Sequence, residues 1–87
     1  MGAKLFERQR MPDTTFHDVW LENATFDDVN LARSTFTNVN LANARLSDVN
    51  LSGVSISDAN IHGLMIFGID IHALVQAELE RRKKEQP

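Results

Sequence analysis

The side chains that could do chemistry in this 87-residue chain are three histidines, twelve carboxylates and a scatter of hydroxyls. A histidine beside a carboxylate is the usual acid–base pair, and histidines grouped with acids hold metal ions. Cysteine is absent, which removes thiolate zinc sites, thiol nucleophiles and disulfides together. Thr25, Thr35, Ser47 and Ser57 are hydroxyls that a nearby histidine would have to activate. No glycine-rich loop follows a strand and opens a helix, as phosphate binding would need. Two other sets suit binding rather than catalysis: the acids Asp27, Asp28 and Asp48, and the single tryptophan, Trp20. Which of these groups meet depends on how the backbone carries them.

Composition narrows the classes. A hydrophobic share of 43% fits a globular domain. No apolar run approaches the ~20 residues of a membrane span, and residues 1–8 lack the apolar stretch of a secretory signal. We therefore expect a cytoplasmic protein with no membrane partner. A net charge of −3 argues against nucleic-acid binding through a basic surface.

The dominant pattern has a period of five. Phe16, Leu21, Phe26, Leu31, Phe36, Leu41, Leu46, Leu51, Ile56, Ile61, Ile66 and Ile71 stand five apart. Chance would place only Phe, Leu or Ile there roughly once in 10⁸ trials. Two residues before each lies a mostly small or aliphatic column, from Thr14 and Val19 to Leu64 and Ile69. Two residues after each lies a column rich in Asp, Asn and Gly, residues that tolerate turn dihedrals. A helix would scatter a five-residue period around its surface, and a long strand would alternate it between faces. A short extended segment followed by a corner, repeated, keeps both apolar columns inside. Four corners close a coil of twenty residues, and coils stack at the ~4.8 Å spacing of paired strands. Stacking then sets Phe16 under Phe36 under Ile56, with small companions such as Thr14 and Ser34 beside the large rings.

The units Val29-Asn30-Leu31-Ala32-Arg33, Val39-Asn40-Leu41-Ala42-Asn43, Val49-Asn50-Leu51-Ser52-Gly53 and Ala59-Asn60-Ile61-His62-Gly63 resemble the pentapeptide-repeat family. The resemblance covers residues 14–73. It implies an all-β fold, a right-handed quadrilateral β-helix of about three coils of four pentapeptides.

Coils at the ends of such a stack need covering. Residues 72–86 break the period and read as a helix, with Leu74, Val75, Ala77 and Leu79 in an apolar stripe and Asp70 as its cap. Glu78 with Arg82 and Glu80 with Lys84 are i,i+4 pairs. The expected organisation is an N-terminal cap over 1–13, the β-helix over 14–73 and a short capping helix over 74–87. Phe6 and Met11 continue the period, so 4–12 forms an opening strand or a cap. Met65 and Phe67 put large apolar groups where other repeats are polar or small. Either the tail helix folds over them or they join two chains through the C-terminal end as a homodimer.

On this template His17, His62 and His72 fall on three different walls with no two as neighbours, so no metal or cofactor site and no catalytic residue is expected. Asn30, Asn40, Asn50 and Asn60 would form short amide ladders on the outer walls. Trp20, with Met65 and Phe67, is a candidate surface for an unidentified protein partner, although Trp20 could instead pack on the 1–12 segment. Asp27, Asp28 and Asp48 share the most acidic wall. The resemblance gives that wall a second reading, because relatives of the quinolone-resistance type are thought to mimic DNA and bind type II topoisomerases such as DNA gyrase. Residues 14–73 hold a net −5, spread over four walls, whereas ~14 Å of B-DNA carries about eight charges. The shortfall favours a non-enzymatic interaction or structural module, without direct nucleic-acid contact.

Overall fold

At every fifth residue from Arg8 to Gly68 the backbone adopts a positive φ, between 51° and 80°. This is the turn column of the sequence, and Asp, Asn and Gly fill most of it because they enter the left-handed region at least cost. Arg33, at φ 60°, is an exception that a bidentate ion pair to Asp13 holds in place, with Nε–Oδ1 at 2.8 Å and Nη2–Oδ2 at 3.3 Å. The corners alternate in kind. Those over residues 21–24, 31–34, 41–44, 51–54 and 61–64 are closed by hydrogen bonds of 3.0–3.2 Å from the fourth N–H to the first carbonyl. Positive φ at the third residue alone makes them type II turns. The others, such as Asp18, Asp28 and Asn38, are open bends.

The computed structural model describes residues 5–85. Between corners lie the short strands β1 (Leu5–Glu7), β2 (Thr15–His17), β3 (Thr25–Asp27), β4 (Thr35–Thr37), β5 (Arg45–Ser47) and β6 (Ser55–Ser57). They form two parallel sheets, β1-β3-β5 and β2-β4-β6, in a register of twenty: Phe6 opposite Phe26 opposite Leu46, and Phe16 opposite Phe36 opposite Ile56. Single-residue bridges, Arg10–Asn30–Asn50 and Trp20–Asn40–Asn60, give two further ladders with the same offset. The opening segment therefore joins the stack as a strand. The start at residues 1–4, and residues 86–87 of the tail, lie outside the described residues.

Large and small alternate inside as close packing requires. Phe26, Leu31 and Ala24 are wholly buried, and the Phe6–Phe26 and Phe16–Phe36 rings stack at centroid distances of 4.7 and 4.6 Å. Ser34 is equally buried. Its hydroxyl donates to the Met11 carbonyl at 3.0 Å and accepts from the Thr14 N–H at 3.3 Å, so no polar atom is stranded. Burial fades toward the C-terminal end, where Leu51 and Ile56 are 38% and 45% exposed.

There the period breaks. β7 (Met65–Ile66) and β8 (Ile69–Asp70) form an antiparallel hairpin around Phe67 and Gly68, both at positive φ, and α1 (Ile71–Glu85) follows directly. Asp70 caps α1 as expected, its Oδ1 accepting the Ala73 N–H at 3.1 Å. Glu78 pairs with Arg82 as read from sequence and with Arg81 as well, whereas Glu80 meets Lys83 rather than Lys84.

Two expectations need correction. The tail helix does not cap the stack or cover Met65 and Phe67: α1 buries no residue, and Leu74, Val75 and Leu79 remain 54%, 38% and 44% exposed. With no residue between β8 and α1, the helix has no loop with which to fold back. The asparagines do not form ladders either. Asn30, Asn40, Asn50 and Asn60 each turn Oδ1 onto the N–H two residues ahead, at 2.9–3.1 Å, priming the type II turn that follows.

Candidate interaction surfaces

The C-terminal end of the stack is an open apolar hollow of about 420 Å³. Phe26, Phe36 and Leu41 form its floor, Leu51 and Ile56 its sides, and Met65 and Phe67 stand at it. Phe67 is 98% exposed and holds φ 51°, a conformation that a bulky side chain adopts only under strain. Met65 is 55% exposed. These two predicted surface residues are thus brought together, and the sequence did not reveal that they border the uncovered interior.

Trp20 lies elsewhere, at a bridge position opposite Asn40, and is 75% exposed. Among the described residues nothing of the N-terminal segment covers it. It borders a shallow depression of about 460 Å³ with Asp18, Asn38, Asn40, Asp58 and Asn60. Asp18 is engaged, accepting from Asn38 Nδ2 and lying 3.2 Å from His17 Nε2.

The acidic wall is more balanced than its three aspartates suggest. Asp28 and Asp48 border one depression, but Arg8 and Arg10 border it too. Asp27 lies opposite Glu7 and Ser47, and Arg45 stands on the same sheet opposite Thr25. Four acids and three arginines therefore share this face. Counting back by twenty from Asp28 reaches Arg8, so the arginine could have been found by extending the columns.

The histidines also depart from expectation. His62 and His72 are neighbours, with ring centroids 4.0 Å apart and planes tilted by 30°. The hairpin displaces everything after Gly68 from the twenty-residue count, which brings His72 of α1 back to the His62 turn. His62 Nδ1 also lies 3.2 Å from Asn60 Oδ1. Among the described residues no group of three or more His, Asp or Glu could hold a metal ion. None of their helices is long and apolar enough to cross a membrane.

Comparison with known families settles the class of this stack. A family model for pentapeptide repeats, in nine copies, matches residues 12–55. The chain belongs to the pentapeptide-repeat family. The pentapeptide repeat accounts for the β-helix arrangement of parallel ladders, and its corner geometry continues beyond the matched segment to Asp58 and Gly63. Pentapeptide-repeat proteins are typically interaction or structural modules and generally not enzymes. No curated protein and no solved structure matches the chain significantly.

Proposed function

We propose that this chain is a non-enzymatic interaction module of the cytoplasm, a right-handed quadrilateral β-helix of about three coils that begins at β1 rather than at residue 14 and ends before the β7–β8 hairpin and α1. It self-associates through its C-terminal end and offers its walls to a protein partner. The observation that carries this reading is the uncovered apolar end, where Met65, Ile66 and Phe67 are 39–98% exposed beside the hollow. Exposed apolar surface of this extent marks an association site.

The occupant we assign is a second copy. The hollow and the apolar stripe of α1 leave the same end of one chain, and neither is covered. The absence of a linker keeps α1 off its own hollow. A two-fold arrangement lets each α1 stripe lie across the other chain's end, and such an isologous contact closes on itself.

Sedimentation velocity tests this. The wild type is expected to be dimeric at tens of micromolar, and Phe67→Asn and Leu79→Glu to be monomeric. Asn suits φ 51°, so Phe67→Asn should melt no lower than the wild-type monomer. A wild type that stays monomeric up to 500 µM overturns the reading. The topoisomerase reading draws less support from the wall it needs, because Arg8, Arg10 and Arg45 lie among Asp27, Asp28 and Asp48.

A further inference from the structure

Position 20 breaks a structural rule that its own ladder obeys. At 30, 40, 50 and 60 the same position holds Asn, and each amide oxygen accepts the N–H two residues on; Arg10, the other departure, stands before Pro12, which has no N–H to give. Trp20 cannot make that bond, and its indole does not enter the core in exchange, being 75% exposed. The fold thus forgoes a local hydrogen bond to hold a large aromatic ring in solvent, where stability gains nothing from it. A contact with something else accounts for the choice.

The surroundings specify that something. Residues 15–20, 35–40 and 55–60 contain Asp18, Asp58 and His17 but no lysine or arginine, unlike the wall of Asp27, Asp28 and Asp48. Asp18 is turned toward Asn38 and His17, while Asp58 has no ion pair among the described residues. An indole face attracts a cation, and Asp58 attracts another; two ladder steps from Trp20 reach Asn60, and Asp58 stands two residues to its side, which puts it about 11–12 Å from Trp20. That separation equals about three to four residues of extended chain. We infer that the Trp20 wall binds an extended basic peptide segment of a partner, with one arginine or lysine on the Trp20 ring and a second, three or four residues along, at Asp58.

This rests on the reading of the chain as an interaction module, but it uses a surface apart from the self-association end. Fluorescein-labelled hexa-arginine, followed by anisotropy, is the probe, with hexa-glutamate as control. Saturable binding below about 100 µM is expected, weakening as salt rises from 50 to 300 mM. Trp20→Asn should weaken it at least ten-fold and Asp58→Asn several-fold. Trp20→Asn should melt at or above the wild-type temperature, because it restores the amide that positions 30, 40, 50 and 60 use. Because Trp20 is the only tryptophan, its emission should shift with peptide in the wild type and in the Asp27/Asp28/Asp48→Asn variant alike. Absence of binding at 1 mM overturns the inference. So does binding unchanged in Trp20→Asn, or a melting temperature lowered by that substitution, which would make the ring a packing element. Loss of peptide binding with the dimer intact refutes this inference alone; a monomer that still binds the peptide refutes only the self-association.

Discussion

Leu31 and Leu51 occupy the same position in successive turns of the stack, each in a Val-Asn-Leu unit, yet Leu31 is fully buried and Leu51 is 38% exposed. From sequence the two truncations to alanine are equivalent. Leu31→Ala would leave a closed cavity in the packed middle, where such changes cost about 2.7–5 kcal/mol. Leu51 borders the open hollow, so its truncation enlarges a space water already reaches and adds no closed cavity. Only the transfer of about three carbons remains, ~0.8 kcal/mol each, which scaled to its buried fraction gives about 1.5 kcal/mol. A chain of this length has a total stability of about 4–13 kcal/mol, so Leu31→Ala removes a large share of it. Urea unfolding followed by circular dichroism measures both, with constant m-values as the check on two-state behaviour. At low micromolar protein the Leu31→Ala midpoint should fall at least twice as far. Raising the concentration into the dimeric range should enlarge the cost of Leu51→Ala but not of Leu31→Ala, because only Leu51 lies at the proposed contact. Equal costs at low concentration would mean that the end is covered within one chain, and would refute the reasoning.

Two further outcomes test the corners and the helix. Gly53→Ala should lower the melting temperature by about 4–8 °C, since φ is +71° and a Cβ would lie 3.3 Å from Arg33 Cγ, a penalty of about 1 kcal/mol. Arg33→Asn should shift it by less than Gly53→Ala does, because relief of the left-handed penalty is offset by loss of the bidentate pair to Asp13. The guanidiniums of Arg81 and Arg82 hold the Glu78 carboxyl down at about 2. A depressed folded value means that the stabilisation of α1 is complete above the unfolded value, near 4.5, and is lost as pH falls toward 2. Helical ellipticity at low salt should decline across that window, and Glu78→Gln should flatten the decline.

The ladders and corners were legible because one period of five fixes both what points inward and where φ turns positive. Asp18, Asn23, Asp28 and Gly53 announce their corners by residue type; Arg33 does not, and only its pairing with Asp13 explains it. Graded burial could not be read, since Leu31 and Leu51 differ only in their distance from the end of the stack. The role of the asparagines is not legible because the acceptor on Asn40 has two uses. The N–H two residues ahead is within reach at every such position, so the local bond prevails over a ladder between coils. The place of His72 is not legible because counting by twenty holds only while each corner turns the same way, and the Phe67–Gly68 hairpin reverses it. The mixed charge around Asp28 is not legible from residues 14–73 alone, because Arg8 and Arg10 precede the first regular unit and join the face only through the stacking of β1.

A corner at every fifth residue also makes the stack an indexed dial. One five-residue unit added ahead of Met65 would leave each inward column filled by the same kinds of residue, yet advance everything after it to the next wall. The hollow and α1 would then point a quarter turn away from their present bearing relative to Trp20. A gain or loss of twenty residues would change only the length. The angle between the tryptophan wall and the self-associating end is therefore set in quarter-turn steps by the number of repeats between them, and a lineage could re-aim one surface against the other without redesigning either.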